Sequence, residues 1–198
     1  MKAFDGFKSE AQNSKPRMLP PGPYVAKILN AKIDGKEPDQ TLILRLDVCE
    51  GPFANYFVER YNREKESGKF EAHYKGDFKV RIPNDDNKKA LYPETDKRRF
   101  NDMVYRLQSS NEGFKWEFSE DDDYICNRLK GLIVGINMQL GEFNGSPYTR
   151  IGRLEIADDV RKGIVGEMKP REPRGDGPAQ MDQQSGMAKV DDPELPWF

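Results

Sequence analysis

Residues 41–49 read Thr41-Leu42-Ile43-Leu44-Arg45-Leu46-Asp47-Val48-Cys49. Leu42, Leu44, Leu46 and Val48 share one parity, while Ile43, Arg45 and Asp47 share the other. That period of two defines a half-buried β-strand, because successive side chains point to opposite faces. Upstream, residues 24–31 (YVAKILNA) form a second strand pattern, entered through Leu19-Pro20-Pro21-Gly22-Pro23, where three prolines forbid a helix. Asp34-Gly35-Lys36 and Pro38-Asp39 supply a connection, so the two strands are expected to form a hairpin. Downstream of Glu50-Gly51-Pro52, residues 55–61 (NYFVERY) read as a third strand. Residues 62–74 then read as a charged excursion from the sheet, and residues 78–83 as a further short strand.

The middle of the chain changes period. Phe100, Met103, Val104 and Leu107 fall at i, i+3, i+4 and i+7, which predicts a helix over residues 95–109 with Thr95 capping its free amides. A second helix is expected over residues 119–129: Ser119 and Asp122 make a capping-box spacing, Asp121 to Asp123 complement the positive helix end, and Gly131 terminates it. Residues 131–140 (GLIVGINMQL) are apolar at nearly every position up to Ile136, as in a strand covered on both faces. Residues 148–156 (YTRIGRLEI) are its hairpin partner across residues 141–146. Three strands, helical material and two strands make a mainly β chain with a helical insertion. This order matches the OB-fold, a five-stranded Greek-key barrel whose loops after strands one and four flank a ligand site.

At 198 residues, 36% hydrophobic and 33% charged, the chain suits one ordinary domain with polar extensions. Residues 1–18 are expected to be a flexible leading segment, residues 19–165 the domain, and residues 166–198 a disordered linker with an acidic aromatic tip. Residues 170–184 have almost nothing to bury. The formal net charge is −2, which excludes a histone-like basic binder and an acidic mimic of nucleic acid. The opening residues lack an apolar leader and no stretch is long enough to span a bilayer, so a soluble cytoplasmic protein without membrane partners is expected. Cys49 and Cys126 sit in apolar patterns and read as buried thiols, and the single His73 cannot build a histidine-rich metal centre. Phosphate-loop, zinc-helix and nucleophile-elbow motifs are absent, so no enzyme, metal or cofactor is expected.

Residues 53–81 concentrate seven of the 21 aromatics among Arg60, Arg63, Lys65, Lys69, Lys75, Lys79 and Arg81. Single-stranded nucleic acid is bound by this combination, ring faces stacking on unpaired bases while cations follow the phosphates. Five acids share the window, so a core-filling role for the rings and a solvated role for the charges stands beside that reading. The candidate binding residues are Arg45, Tyr56, Arg60, Tyr61, Tyr74, Lys79, Arg81, Phe143, Tyr148, Arg150 and Arg153. At the other end, Asp191, Asp192, Glu194, Leu195, Pro196, Trp197 and Phe198 place acids before two aromatics, a compact element for docking on a partner protein. A protein-interaction module without strong DNA binding, a recombination mediator or an antagonist of a host factor, is the alternative function.

Residues 19–28 (LPPGPYVAKI), 50–57 (EGPFANYF), 111–116 (NEGFKW) and 129–135 (LKGLIVG) resemble, in order and spacing, phage-type single-stranded DNA-binding proteins of bacterial viruses and mobile elements. The similarity spans roughly residues 19 to 165. The terminus is similar to the acidic tip of bacterial single-stranded DNA-binding proteins, with Pro193 interrupting the acids and Trp197 inserted before the final Phe198. The resemblance implies a protein of the bacterial host cytoplasm that coats single-stranded DNA in replication or recombination. It also implies recruitment of replication or recombination proteins through the tip. A homo-oligomer is compatible with that role.

Overall fold

β1 (Gly22–Asp34) is the hub of the structure, pairing antiparallel with β2 (Thr41–Val48) along one edge and with β4 (Ile133–Phe143) along the other. β3 (Asp77–Arg81) adds outside β2, and β5 (Ser146–Glu155) outside β4. The result is an open, wholly antiparallel sheet in the order β3-β2-β1-β4-β5. This computed structural model describes residues 18–68, 71–85, 87, 90–119 and 121–171. Four helices accompany the sheet: α1 (Tyr56–Ser67), α2 (Pro93–Ser110), α3 (Asp122–Leu129) and α4 (Ala157–Arg161). No helix among the described residues is long and apolar enough to cross a membrane.

Closure into a barrel, expected from the sequence, does not occur. β3 and β5 end the sheet and do not pair with each other. A groove lined by side chains of both edge strands and of α2 (Arg99, Asp102 and Met103) occupies the seam between them.

The third expected strand, residues 55–61, is instead the start of α1. The buried Asp47 carboxylate accepts the amides of Phe57 at 2.8 Å and Val58 at 3.3 Å, donors that a helix leaves unsatisfied in its first turn. Tyr56 and Phe57 are both buried, which adjacent residues on a strand with one solvated face do not achieve. α2 begins at Pro93, whose fixed φ and missing N–H suit a first helical position, so Thr95 is not its cap. α3 is capped by Asp121, which accepts from the amides of Asp123 and Tyr124, while Ser119 Oγ accepts from the Asp121 amide.

The β4–β5 connection is tighter than expected. Both strands extend toward each other and leave only Asn144 and Gly145 between them, at φ of 49° and 73°, the left-handed backbone that a two-residue hairpin turn requires. The aliphatic face of β2 is buried as expected and packs with Ile28, Val134, Ile136 and Leu154 beneath Tyr56, Phe100, Met103 and Leu107. Burial of such side chains is worth roughly 1.5–3 kcal/mol each.

The opposite face of β4 is also covered. Val160 of α4 lies over Gly135, where an added Cβ would come within 2.7 Å of Val160 Cγ2. Residues 163–171 then follow β4: Asn137 donates to the Gly166 carbonyl at 2.9 Å, Gln139 to the Lys169 carbonyl at 3.0 Å, and the Arg171 amide to the Leu140 carbonyl at 2.8 Å. The chain beyond residue 165, assigned by composition to the tail, therefore contacts the sheet as far as Arg171.

Candidate nucleic-acid interface

Register settles which side chains share a surface. On β3, Phe78 and Val80 pair opposite Leu44 and Leu42 of the core, which puts Asp77, Lys79 and Arg81 on the other face with Arg45 and Ile43. On β5, Tyr148 and Arg150 pair opposite Gly141 and Gln139, and a register shift then sets Arg153 opposite Asn137. Both edge strands border one groove of about 550 Å³, with α2 contributing Arg99, Asp102 and Met103. Its walls carry Lys75, Lys79, Arg99, Arg150 and Arg153 around an apolar lining that includes Phe78, Val80, Ile151, Leu154 and Met168.

The two acids of this groove are already engaged. Asp77 accepts Nε and Nη2 of Arg45 at 3.0 and 3.2 Å, a forked pair, and Asp102 accepts Nε of Arg106 at 2.9 Å. Arg153 donates to Glu155, a buried carboxylate on the same strand that also takes Arg106 from α2. Glu155 thereby fixes a groove cation and ties α2 to the sheet. Lys75, Lys79, Arg99 and Arg150 have no ion pair among the described residues and are exposed. The groove is therefore an electropositive trough with a fixed frame.

A ring-and-cation cluster adjoins it through Asp77. The Arg45 guanidinium lies 4.6 Å from the Tyr74 ring centroid, Tyr74 OH donates to the Leu46 carbonyl at 2.8 Å, and Tyr61 meets Tyr74 edge-on at 6.0 Å between centroids. Burial, reinforced by the nearby Asp47, pushes the Tyr74 phenol well above its ordinary range, so it stays a hydrogen-bond donor at neutral pH.

The remaining sequence candidates divide. Arg81, at the end of β3, is drawn toward Asp39 at 3.4 Å and Asp96 at 4.0 Å. Arg60 donates to Glu64 at 2.8 Å along α1. Tyr56, expected to stack on a base, is 1% exposed and belongs to the core, so its ring face is not available. Phe143 is 71% exposed beside the β4–β5 turn. The Tyr148 ring lies over Gly141, where an added Cβ would come within 2.7 Å of Tyr148 Cζ. Residues 191–198 of the tip lie outside the described residues.

Of the groove's lining, only Lys79, Arg150 and Arg153 were among the sequence candidates; the cations Lys75 and Arg99 and the thioether of Met168 were not. Lys75 lay within the aromatic and cationic window but precedes β3, Arg99 sits on the polar side of α2, and Met168 lies in a segment read as tail. Cys126 is buried as expected, Cys49 is half-buried, and burial pushes both thiols up. Among the described residues, no group of three or more His, Cys, Asp or Glu is placed to hold a metal ion. No family model and no curated protein matches the chain.

Proposed function

We propose that the protein binds single-stranded DNA without catalysing a reaction, the strand lying in the groove between β3 and β5 and over the adjoining outer face of β2 and β3. The observation that carries this reading is the groove itself. Four exposed cations line it, Lys79 and Arg150 from the two unpaired edge strands, Lys75 from just before β3 and Arg99 from α2. None has an ion-pair partner among the described residues, and the groove's two acids are neutralised by arginines of the frame. Cations in this arrangement follow a phosphate backbone, and the apolar lining and the Tyr61–Tyr74 pair offer sequence-tolerant contacts to unpaired bases. The strand order β3-β2-β1-β4-β5 is that of a Greek-key barrel of OB type opened along one seam, which supports the same fold reading.

On this reading the protein coats single strands during phage or mobile-element replication or recombination in the cytoplasm of a bacterial host. The acidic aromatic tip recruits replication or recombination proteins. Fluorescence anisotropy of a labelled oligo-dT, against a matched duplex, tests the proposal. Tight, salt-sensitive binding of the single strand and much weaker binding of the duplex are expected. Equal affinity for both, or no binding at low salt, refutes it.

A further inference from the structure

We propose that Met168 is a base-contacting residue of the groove, held there by a strap, residues 163–171, whose seat is built by Asn137 and Gln139. This rests on the single-strand reading and adds to it the side chain that meets the bases. The groove cations recognise phosphate and say nothing about how the bases are held. Val80, Met103 and Leu154 in the lining are buried parts of the core. Met168 differs: it is half-buried, lines the groove and stands outside the core cluster. A thioether is polarizable and packs favourably on aromatic rings, and every base offers such a ring, so the contact is tolerant of sequence.

The position of Met168 is built rather than incidental. It lies against the backbone of β5 at Gly152, where an added Cβ would sit 2.7 Å from its sulfur and 3.0 Å from Gln139 Cβ. The strap follows a short helix, and two of its carbonyls, those of Gly166 and Lys169, are held by side-chain amides, from Asn137 and Gln139. Asn137 is fully buried, and the bonds it makes are carried by its amide nitrogen, its Oδ1 having no hydrogen-bond partner among the described residues. Its amide also donates to Glu155 at 3.3 Å, and Glu155 accepts from Arg153 and Arg106. One hydrogen-bonded chain thus runs from the strap through Asn137 and Glu155 to a groove cation. It sets Met168, which meets a base, at a fixed spacing from Arg153 on the wall of the groove. Asn137 and Gln139 are positioning residues.

The test uses the full chain with oligo-dT in two measurements. By anisotropy, Met168→Ala is expected to weaken binding about three- to tenfold, an amount typical of losing one partly buried apolar contact, with the salt dependence unchanged because no charge is removed. By mass spectrometry, sulfoxide formation at Met168 under hydrogen peroxide is expected to slow several-fold when saturating oligo-dT is present. Gln139→Ala, which loosens the seat but leaves the sulfur, is expected to weaken binding less and to speed oxidation of Met168 in the free protein. Wild-type affinity of Met168→Ala, or an oxidation rate indifferent to bound oligo-dT, overturns the assignment while leaving the groove reading in place. Failure of the wild-type protein to bind oligo-dT removes the groove reading and this inference with it.

Discussion

Replacing Lys79 and Arg150 together by Ala removes one cation from each wall of the groove without touching an ion pair seen in the fold. Four exposed cations, Lys75, Lys79, Arg99 and Arg150, are available for phosphates. If each neutralises one phosphate of a single strand, the log-log slope of affinity against salt is about −2.8, falling to about −1.4 in the double variant. Between 50 and 200 mM salt, the wild-type protein then loses about 50-fold in affinity and the variant about sevenfold. Anisotropy titrations of oligo-dT across that salt range measure both slopes, and thermal unfolding checks that the variant remains folded. Both residues are exposed, so the melting temperature should barely move. A variant that stays folded, binds as tightly as the wild type at low salt and keeps the wild-type slope refutes phosphate recognition by the groove.

Tyr56→Ala should cost about 3–5 kcal/mol of stability by urea unfolding, as for other buried aromatics, whereas Tyr61→Ala should cost about 1 kcal/mol or less and act on DNA affinity instead. Equal stability losses would return Tyr61 to the core. Asp47→Ala strips the Phe57 and Val58 amides of their acceptor and should destabilise the fold by about 2–3 kcal/mol, with Asp47→Asn recovering part of it; an Ala variant as stable as wild type contradicts the capping role. The Tyr74 phenol titrates higher in the folded chain than in the unfolded one. Its stabilising contribution is therefore complete below pH about 10 and is lost as the pH rises beyond that. Urea unfolding between pH 8 and 11 should show a steeper alkaline decline for wild type than for Tyr74→Phe, and parallel curves contradict the shift.

Local patterns carried most of the fold. The alternation of residues 41–49, the stripe Phe100, Met103, Val104 and Leu107, and the double-sided apolar run before Asn137 each declare their element within one window. Residues 55–61 misled because seven residues alternate too briefly to separate a strand from the first turns of a helix. The deciding partner, Asp47, is ten positions from Phe57. Later residues held the correcting signal, in the Arg60–Glu64 spacing and in Gly68, which ends α1 in the left-handed conformation. At the candidate site, Lys79 was legible from the aromatic and cationic window, and Arg150 and Arg153 from their place on the last strand. Lys75, Arg99 and Met168 were not, because they meet only once β3, β5, α2 and the strap border one groove. Tyr56 shows the converse limit: composition finds a ring but not the side of the sheet it occupies.

The unpaired seam has a topological consequence. A closed cylinder with its site inside would have to be threaded, so a long polymer could enter only from an end. A sheet whose two end strands never meet leaves a groove between them, bordered by α2, in place of a closed channel. The polymer proposed for it can be laid in broadside at any internal stretch, and a circle is as accessible as a line. Loading and release then need no terminus to pass the protein, and the rate of either should depend on exposed length rather than on the number of ends.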